Sequence, residues 1–373
     1  MQDFDFIVIG GGIFGSYAAL YLSGKGYRVC LLEKETTLFR KASTVNQARL
    51  HAGYHYPRSV ATARMSDDHR ERFTAEHRRF IHFDFDKYYA IDRYSSLTDA
   101  AQFQRFCRHI GIRCEPVDAH PLFCFDRMEA LFRTTEYSFD PYLLAAYYTA
   151  RLEAEPLVQV RTCTYPTEAS AATGRWHIRI SSADRQEDLR SPVVINATYS
   201  ASNHVNRIFG IPELALMHEI SEIALLTSPT FARTGLTVMD GPYASMMPYG
   251  KSGLLSLSSV IYTHHQVSYD NLPTFECMQR TDGCRPGIPA DCNTCPVRPR
   301  SHHHKMTAQI RQYIAPTVEL QYLTSLFTVK SKLLANQIDD GRPTEIARLH
   351  HNPDFYCLFA GKINSIYEIE KMV

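Results

Sequence analysis

Three glycines near the amino terminus have the spacing of a phosphate-binding turn. Gly10, Gly12 and Gly15 form the pattern G-x-G-x-x-G directly after the apolar run Phe6–Ile9. In such a turn one glycine permits the bend, one lets the backbone approach a pyrophosphate, and one lets the helix pack on the strand. Glu33 ends the next apolar run, where a carboxylate can accept both ribose hydroxyls. Because an acid here disfavours a 2′-phosphate, the pattern predicts FAD or NAD rather than NADP.

Residues 49–57, R-L-H-A-G-Y-H-Y-P, are dense in side chains that can bind or react with a substrate. Arg49 can grip a phosphate or a carboxylate through paired hydrogen bonds, and a structural ion pair would use the same guanidinium. Further along the chain, Tyr249 can line a pocket, with packing in the core as the alternative for a tyrosine. The sequence leaves both alternatives open for each residue.

Four cysteines are clustered late in the chain. Cys277, Cys284, Cys292 and Cys295 have the spacing C-x6-C-x7-C-x2-C, and three histidines follow at 302–304. Thiolates and imidazoles can hold a zinc ion tetrahedrally, and such an ion would stabilise an irregular segment that has few apolar residues. The spacing matches no standard zinc finger, so free thiols and a disulfide remain alternatives to a structural zinc site.

The glycine turn needs a strand before it and a helix after it, and the sequence provides both. Residues 13–23 carry alanine and leucine at helical spacing, and Val29–Leu32 has the composition of a second buried strand. The resulting βαβ unit presents the unpaired N–H groups of its helix to a phosphate. Residues 193–198 and 355–360 predict two more buried strands, and residues 361–371 predict a final helix.

Two domains are expected, because 373 residues exceed what one hydrophobic core usually holds. The predicted fold class is α/β, with a Rossmann-like dinucleotide-binding domain and a second, β-rich (α+β) substrate domain. The chain is expected to pass between the two domains more than once. The predicted boundaries assign 1–85, 130–210 and 325–373 to the first domain and 86–129 and 211–324 to the second, which includes a Cys/Pro-rich excursion at 270–303.

Composition excludes several classes of function. A net charge of +1 gives no electrostatic case for binding nucleic acid. No run approaches the roughly 20 apolar residues that span a bilayer, and no secretory signal precedes the first strand. The six scattered cysteines are best interpreted as reduced, buried thiols. These features predict a cytoplasmic protein without a membrane span.

The opening follows G-x-G-x-x-G-x-x-x-A-x-x-L-x-x-x-G-x-x-V-x-x-x-E from Gly10 to Glu33 without a mismatch. It resembles the glutathione-reductase-like FAD proteins and, more narrowly, the D-amino acid oxidase superfamily. Residues 49–57 are similar to the H-[SA]-G-x-x-Y segment of L-2-hydroxyglutarate dehydrogenases and to the W-H-A-A-G segment of dimethylglycine dehydrogenases. Residues 194–198 resemble the V-I-N-A-A-G strand of the family, and residues 361–371 resemble the helix that closes over the flavin.

The resemblance implies that the first domain is an FAD-binding domain, across which FAD lies extended. The ribose would meet Glu33, the pyrophosphate the glycine turn, and the flavin ring residues 46–54. The flavin's pyrimidine edge would face the last helix, where Lys362 would either add positive charge or be a solvated surface lysine. The cofactor-binding residues so implied are Gly10, Gly12, Ile13, Phe14, Gly15, Glu33, Lys34, Asn46, Arg49, His51, Ala52, Thr198, Gly361, Lys362, Ile363 and Asn364.

Some positions depart from the family pattern. Thr198 and Tyr199 follow Ala197 where the family usually has glycine, and residues 361–365 replace its usual G-H-x-G-x-G. The arginine that often grips a substrate carboxylate has no clear counterpart, and two lysines lie in roughly that region. In dimethylglycine dehydrogenases the histidine that matches His51 is bonded covalently to flavin; for His51 a covalent link, a non-covalent role and packing all stay open. The predicted catalytic residues are His51, Lys330, Lys332 and Tyr249.

The implied function is that of an FAD-dependent oxidoreductase, a dehydrogenase or an oxidase. It would remove a hydride from a C–N or C–OH carbon of a small polar, carboxylated substrate and pass electrons to oxygen, a quinone or an electron-transfer protein. One alternative is a flavin monooxygenase, although no second glycine fingerprint indicates an NADPH site. The other is a non-catalytic FAD-binding protein, which the altered 361–365 segment favours.

Overall fold

The computed structural model describes residues 2–60, 63–64, 69–182, 185–334, 344–359 and 361–372. Its strands, numbered in chain order, are β1 (Gln2–Asp3), β2 (Phe6–Ile9), β3 (Val29–Leu32), β4 (Arg49–Leu50), β5 (Ile81–His82), β6 (Asp86–Asp92), β7 (Cys114–Pro116), β8 (Met128–Thr134), β9 (Tyr137–Phe139), β10 (Val158–Arg161), β11 (Tyr165–Ala172), β12 (Arg175–Ser182), β13 (Arg185–Ser191), β14 (Val193–Asn196), β15 (Leu216–Thr227), β16 (Thr234–Met239), β17 (Ala244–Pro248), β18 (Leu255–Ser259), β19 (His264–Ser268), β20 (Gln321–Leu333), β21 (Glu345–His350) and β22 (Asp354–Phe359).

The α-helices with both ends among these residues are α1 (Ile13–Gly24), α2 (Arg70–Glu76), α3 (Ala100–Ile110), α4 (Pro141–Ala154), α5 (Ser202–Ile208) and α6 (His303–Ile310). The 3-10 helices are Arg78–Phe80, Tyr199–Ala201, Glu276–Arg280 and Ile363–Met372. Within the described residues, none of the helices combines the length and the apolar character that crossing a bilayer requires.

A six-stranded sheet holds the predicted βαβ unit. Its strand order is β10-β3-β2-β14-β22-β21, and only β21 runs antiparallel to its neighbour. Every residue of β2 and β3 is buried, as expected for a parallel sheet that is covered on both faces. Because β2 lies between β3 and β14, the crevice beyond its carboxyl end is the topological switch point, where such sheets bind ligands.

Helices cover one face of this sheet, and a second sheet covers the other. Ala18 and Leu22 of α1 share a core with Leu144 and Tyr148 of α4 and with Val8 of β2. The opposite face packs against the four-stranded sheet β1-β13-β12-β11 and against α5. Burial on both faces holds the ends of β2, β3 and β14 in fixed positions relative to one another.

The larger sheet has nine strands in the order β19-β15-β18-β17-β16-β6-β8-β7, with β20 paired to β15. Tyr88 and Tyr89, adjacent in β6, lie in separate cores on its two faces. Helix α6 joins one of these cores through Met306, and α3 joins the other through Phe103. A separate three-stranded antiparallel sheet has the order β4-β9-β5.

The chain passes between the two main sheets repeatedly. It leaves the six-stranded sheet after β3 for β6 to β8, returns with β10 and β14, leaves again for β15 to β20, and returns with β21 and β22. The predicted fold class is therefore confirmed. Strands β8 and β20 belong to the nine-stranded sheet although they run across the predicted boundaries at 130 and 325. The domain assignment stays a prediction, and its residues 335–343 lie outside the described residues.

The predicted carboxy-terminal helix is a 3-10 helix, Ile363–Met372. Its apolar residues Ile363, Ile366, Ile369 and Met372 recur at every third position, a period that suits three residues per turn. Ile366 and Ile369 are buried in the core that contains α1. The segment is therefore helical, as predicted, but with three residues per turn.

Helix α4 has an amino-terminal cap that also connects it to the larger sheet. The Asp140 carboxylate accepts hydrogen bonds from the N–H groups of Tyr142 (3.1 Å) and Leu143 (2.9 Å), and its other oxygen accepts one from Lys251 N–H (2.9 Å). Lys251 directly follows Gly250, at which an added Cβ would lie 2.5 Å from Asp140 Cα. Asp140 therefore holds the helix start against the β17–β18 connection.

We expect Asp140→Ala to lower the free energy of unfolding by about 2–3 kcal/mol, because it removes a helix cap and leaves Lys251 N–H without its acceptor. Asp99→Ala is the matched control. Asp99 caps α3 in a capping box, and its carboxylate accepts one hydrogen bond from the helix, that of the Gln102 N–H. Its loss should lower the free energy of unfolding by about 1 kcal/mol. Denaturant unfolding of both variants measures the difference. Equal losses would contradict the connecting role of Asp140.

Candidate functional site

A cavity of about 350 Å³ opens at the predicted switch point, beyond the carboxyl ends of β2, β3 and β14. Its wall continues from the glycine turn to Lys330 of β20 and to residues 361–363. The members of the predicted cofactor set that line it are Gly10, Gly12, Ile13, Phe14, Glu33, Lys34, Asn46, Arg49, His51, Thr198, Gly361, Lys362 and Ile363. Gly15, Ala52 and Asn364 lie outside this lining. The structure thus brings both ends of the chain to one cavity.

The glycine turn has no room for side chains. Gly10 has φ +107°, and a Cβ added there would lie 2.6 Å from the Ala197 carbonyl oxygen. A Cβ on Gly15 would lie 1.9 Å from the Gly10 carbonyl oxygen. The N–H of Ile13, at the start of α1, donates to Ser43 Oγ at 3.0 Å. Gly10 and Gly12 line the cavity without side chains, so a pyrophosphate could approach the backbone there.

Glu33 stands at the end of β3 on the cavity wall. One carboxylate oxygen accepts from Gly11 N–H (2.7 Å) and the other from Glu35 N–H (2.8 Å). A carboxylate has about four acceptor positions, so each oxygen keeps one for a ribose hydroxyl. Burial raises the pKa of the Glu33 carboxyl above its ordinary value, and the two backbone N–H groups oppose that shift. These contacts fit the ribose end of a dinucleotide.

The Cys/Pro-rich excursion covers this end of the cavity, which the sequence analysis did not predict. Residues 287–289 line the cavity, the Lys41 amine donates to the Pro289 carbonyl (2.6 Å), and Arg40 pairs with Asp291 (2.9 Å). The two partners of each contact are about 250 positions apart in the sequence. No local pattern could have indicated them, because the contact depends on how the nine-stranded sheet is placed.

Arg49 lines the cavity but directs its guanidinium into the protein. It donates to Tyr89 Oη (3.1 Å) and Thr237 Oγ1 (3.0 Å), and it lies 3.6 Å from the Glu136 carboxylate. The Arg49 and Glu136 side chains are 1% and 0% exposed. Of the two alternatives left open by the sequence, the geometry favours the structural ion pair. Arg49 thereby fastens the cavity wall at residues 46–51 to the nine-stranded sheet.

His51 and Lys362 both lie near the Tyr56 ring at the far end of the cavity. The Lys362 amine is 4.4 Å from the centroid of the Tyr56 ring, and the His51 ring centroid is 6.3 Å from that of Tyr56. Lys330 of β20 lines the same cavity. The cavity lining therefore combines an imidazole with two amines, and Glu33 and Glu35 are the acids among its described residues. In the sheet register Lys330 lies opposite Glu219 of β15.

Two predicted catalytic residues lie outside the cavity lining. Tyr249 is fully buried and donates its hydroxyl to the Thr44 carbonyl, and burial raises its pKa, so it is a neutral phenol with a packing contact. Lys332 pairs with Glu219 at 3.0 Å. Their catalytic roles stay predictions without a contact to the cavity.

The four clustered cysteines line one void of about 20 Å³, and all are free thiols. Burial raises the pKa of Cys277 and raises that of Cys292 to about 12, so both are protonated at neutral pH. Cys277, Cys284, Cys292 and Cys295 are not among the described groups in which three possible ligand atoms lie within 4.8 Å of one another. The structural zinc ion therefore stays a prediction.

The group that meets this distance is Glu222, His265 and His302. The Glu222 carboxylate accepts from the His265 ring nitrogen (2.7 Å), from His302 N–H (2.9 Å) and from Ser301 Oγ. The two imidazole rings stack at 4.0 Å between centroids with only 20° between their planes. Nearly parallel stacked rings do not direct their nitrogens at a common ion, so the arrangement is a hydrogen-bonded structural cluster.

Comparison with known proteins gives evidence on the family that is independent of this geometry. The family model described as DAO, FAD dependent oxidoreductase, matches residues 5–278. A curated relative, the FAD-dependent monooxygenase FPY4 of Fusarium mangiferae, is 25% identical over 374 residues, which cover 96% of this chain and 87% of that one.

Two solved structures have the same fold. The L-alpha-glycerophosphate oxidase from Mycoplasma pneumoniae has a TM-score of 0.72 at 15% identity, covering 100% of this chain and 94% of its own. The glycine oxidase from Geobacillus kaustophilus has a TM-score of 0.71 at 13% identity, covering 99% and 92%. At these identities the likeness concerns the fold alone.

The Glu33 geometry predicts a pH-dependent affinity for FAD. If ionised Glu33 accepts the ribose hydroxyls, its protonation weakens FAD binding. Because burial raises the pKa of Glu33, we expect the affinity for FAD to fall at a higher pH than an ordinary glutamate would give. We expect Glu33→Gln to raise the Kd for FAD about tenfold at neutral pH and to remove this pH dependence. Quenching of FAD fluorescence measures both effects.

Glu35→Gln is the control for that experiment. Glu35 is adjacent and carries the same charge, but it pairs with Lys34 (2.5 Å) and Lys41 (2.9 Å). A smaller change in Kd is expected for this variant. If Glu33→Gln keeps the pH profile of the unmodified protein, Glu33 is not the group that binds the ribose.

Proposed function

The chain belongs to the DAO family of FAD-dependent oxidoreductases, as its resemblance predicted, and from that premise we propose that it oxidises a small anionic amine or hydroxy compound at the carbon that bears the nitrogen or oxygen. Family membership makes the chain an enzyme, and the non-catalytic alternative is set aside. When bound, FAD supplies the hydride acceptor. The protein residues have to bind the substrate, orient its reacting carbon and hold the proton that leaves its N–H or O–H group.

The distribution of charge in the cavity carries this proposal. Lys330 and Lys362 line the cavity with His51, and the acids of its described lining lie at the ribose end. Arg49 is compensated by Glu136 and turned away from the cavity. In this proposal a substrate in the cavity meets the amines of Lys330, which lies opposite Glu219 in the sheet register, and of Lys362, and these favour a carboxylate or another anionic group.

Within this proposal each residue has a separate task. Lys330 binds the anionic group and so fixes the distance of the reacting carbon from the flavin position. His51 is a non-covalent neighbour of the ring and holds the proton of the substrate's amine or hydroxyl. Lys362 adds positive charge at the start of the last 3-10 helix.

A monooxygenase is the second candidate, because the relative from Fusarium mangiferae carries that name. Flavin monooxygenases that take electrons from NADPH need a site for it, and the sequence has no second glycine fingerprint. We therefore rank substrate oxidation first. The electron acceptor, a cytoplasmic location and the structural zinc ion remain predictions.

Anaerobic mixing of the FAD-loaded protein separates the two candidates. The substrates are glycine, sarcosine, sn-glycerol 3-phosphate and lactate, each offered without any pyridine nucleotide, and NADPH alone is offered in a parallel sample. We expect loss of the visible flavin absorbance with at least one of the four compounds and none with NADPH. Bleaching by NADPH alone, with none by the four compounds, would establish the monooxygenase instead.

We expect Lys330→Met to raise the KM of the active compound about tenfold or more, because a hydrogen bond to a charged group contributes about 1.5–3 kcal/mol. Lys332→Met is the matched control: it removes the same charge two positions along β20, from a side chain that pairs with Glu219 and lies outside the cavity lining. Steady-state kinetics of both variants provide the comparison. Equal effects would show that general charge, rather than a contact of Lys330, is responsible.

A further inference from the structure

Tyr199 has a backbone conformation that is unusual for its side chain. It follows Thr198 at the end of β14 and has φ +54°, in the left-handed region that favours glycine. The family to which the chain is similar usually has glycine in this turn. A bulky residue in this conformation is costly, so its side chain must make a contact that offsets the cost.

That contact is a pair of hydrogen bonds to one residue of the nine-stranded sheet. The Tyr199 hydroxyl donates to the Ser331 carbonyl oxygen (3.0 Å) and accepts from the Ser331 N–H (3.1 Å). In an antiparallel strand these two groups of one residue point to the same side. Ser331 lies opposite His218 of β15, so the phenol binds the edge of β20 that faces away from β15. One hydroxyl takes the place of a neighbouring strand.

Ser331 is next to the lysine that lines the cavity. Lys330 precedes it, and Lys332 follows it and pairs with Glu219. Tyr199 itself lines the same cavity. It directly follows Ala197 and Thr198, the turn residues that pack against Gly10. The hydroxyl therefore joins the dinucleotide-binding turn directly to the strand that carries the Lys330 side chain.

We propose that Tyr199 is a positioning residue that sets the location of Lys330, and through it the affinity of the flavin end of the cavity for anions. The role of Lys330 rests on the proposed function; the connection between Tyr199 and β20 does not. Glycine at this position would relieve the backbone and lose the connection. Phenylalanine would keep the ring and leave two backbone groups of Ser331, which is 4% exposed, without their partner.

Amide hydrogen exchange tests the connection in the FAD-loaded protein. Tyr199→Phe and Tyr199→Gly should speed exchange of the peptide that covers residues 328–333 about tenfold. Tyr199→Gly suits the left-handed backbone and provides a folded variant if Tyr199→Phe is unstable. Tyr313→Phe, which removes a buried hydroxyl that donates to Asp92 (2.7 Å), should leave this peptide unchanged. Unchanged exchange in both Tyr199 variants would overturn the proposal.

A double-mutant cycle tests the action through Lys330. The probe is acetate, and its binding is measured by the change in the visible spectrum of the bound flavin. We expect Tyr199→Phe and Lys330→Met each to raise the Kd for acetate about tenfold, and the double variant to bind no more weakly than Lys330→Met alone. Additive losses would show that Tyr199 does not act through Lys330.

The hydrogen-exchange experiment and the acetate titration also distinguish a failure of this proposal from a failure of the proposed function. If acetate leaves the spectrum of the unmodified protein unchanged, the anion site at the flavin end is wrong. The exchange of residues 328–333 then still decides whether Tyr199 holds β20.

Discussion

The close approach of backbone to backbone at the amino-terminal turn is the constraint on which the rest of the site depends. A Cβ on Gly15 would lie 1.9 Å from the Gly10 carbonyl oxygen, and one on Gly10 would lie 2.6 Å from the Ala197 carbonyl oxygen. Helix α1 can therefore begin directly against the end of β2, with β14 in contact. Because β2 has β3 and β14 as its neighbours, Glu33 and Thr198 arrive at the same edge of the sheet. The glycines thus determine where the cavity forms and which residues it collects.

Features that depend on local pattern could be predicted from the sequence. Strands β2 and β3 were predicted with their observed bounds, because a run of β-branched and apolar residues between polar segments describes a buried parallel strand. The last helix was predicted in the right place but with the wrong geometry. Four isoleucine and methionine side chains recur at every third position from Ile363 to Met372, but the buried Tyr367 breaks this period, so the sequence did not decide between the two helix types.

Features that depend on contacts between distant segments could not be predicted. The structure places Arg49 on the cavity lining, and its role as a cofactor-binding residue stays a prediction. Its partners Glu136 and Thr237 lie far along the chain, so only the fold chooses between an ion pair and a ligand contact. The position of residues 287–289 over the cavity likewise depends on contacts between distant segments. Tyr199 was noticed as a departure from a family pattern, yet its reason, the edge of β20, required the structure.

The ion pair between Arg49 and Glu136 affects the kind of substrate that the cavity favours. A guanidinium presents a rigid fork that matches one planar anion, whereas an ammonium is a compact point charge on a flexible stem. With Arg49 bound inside the protein, Lys330 and Lys362 are the lining cations to which the proposed function assigns contact with the substrate. Recognition by amines demands charge at a given place but little of the shape of the anion. In the proposed function, selectivity among carboxylates and phosphates would then come from the distance between Lys330 and the reacting carbon, which is the distance that a fixed β20 defines.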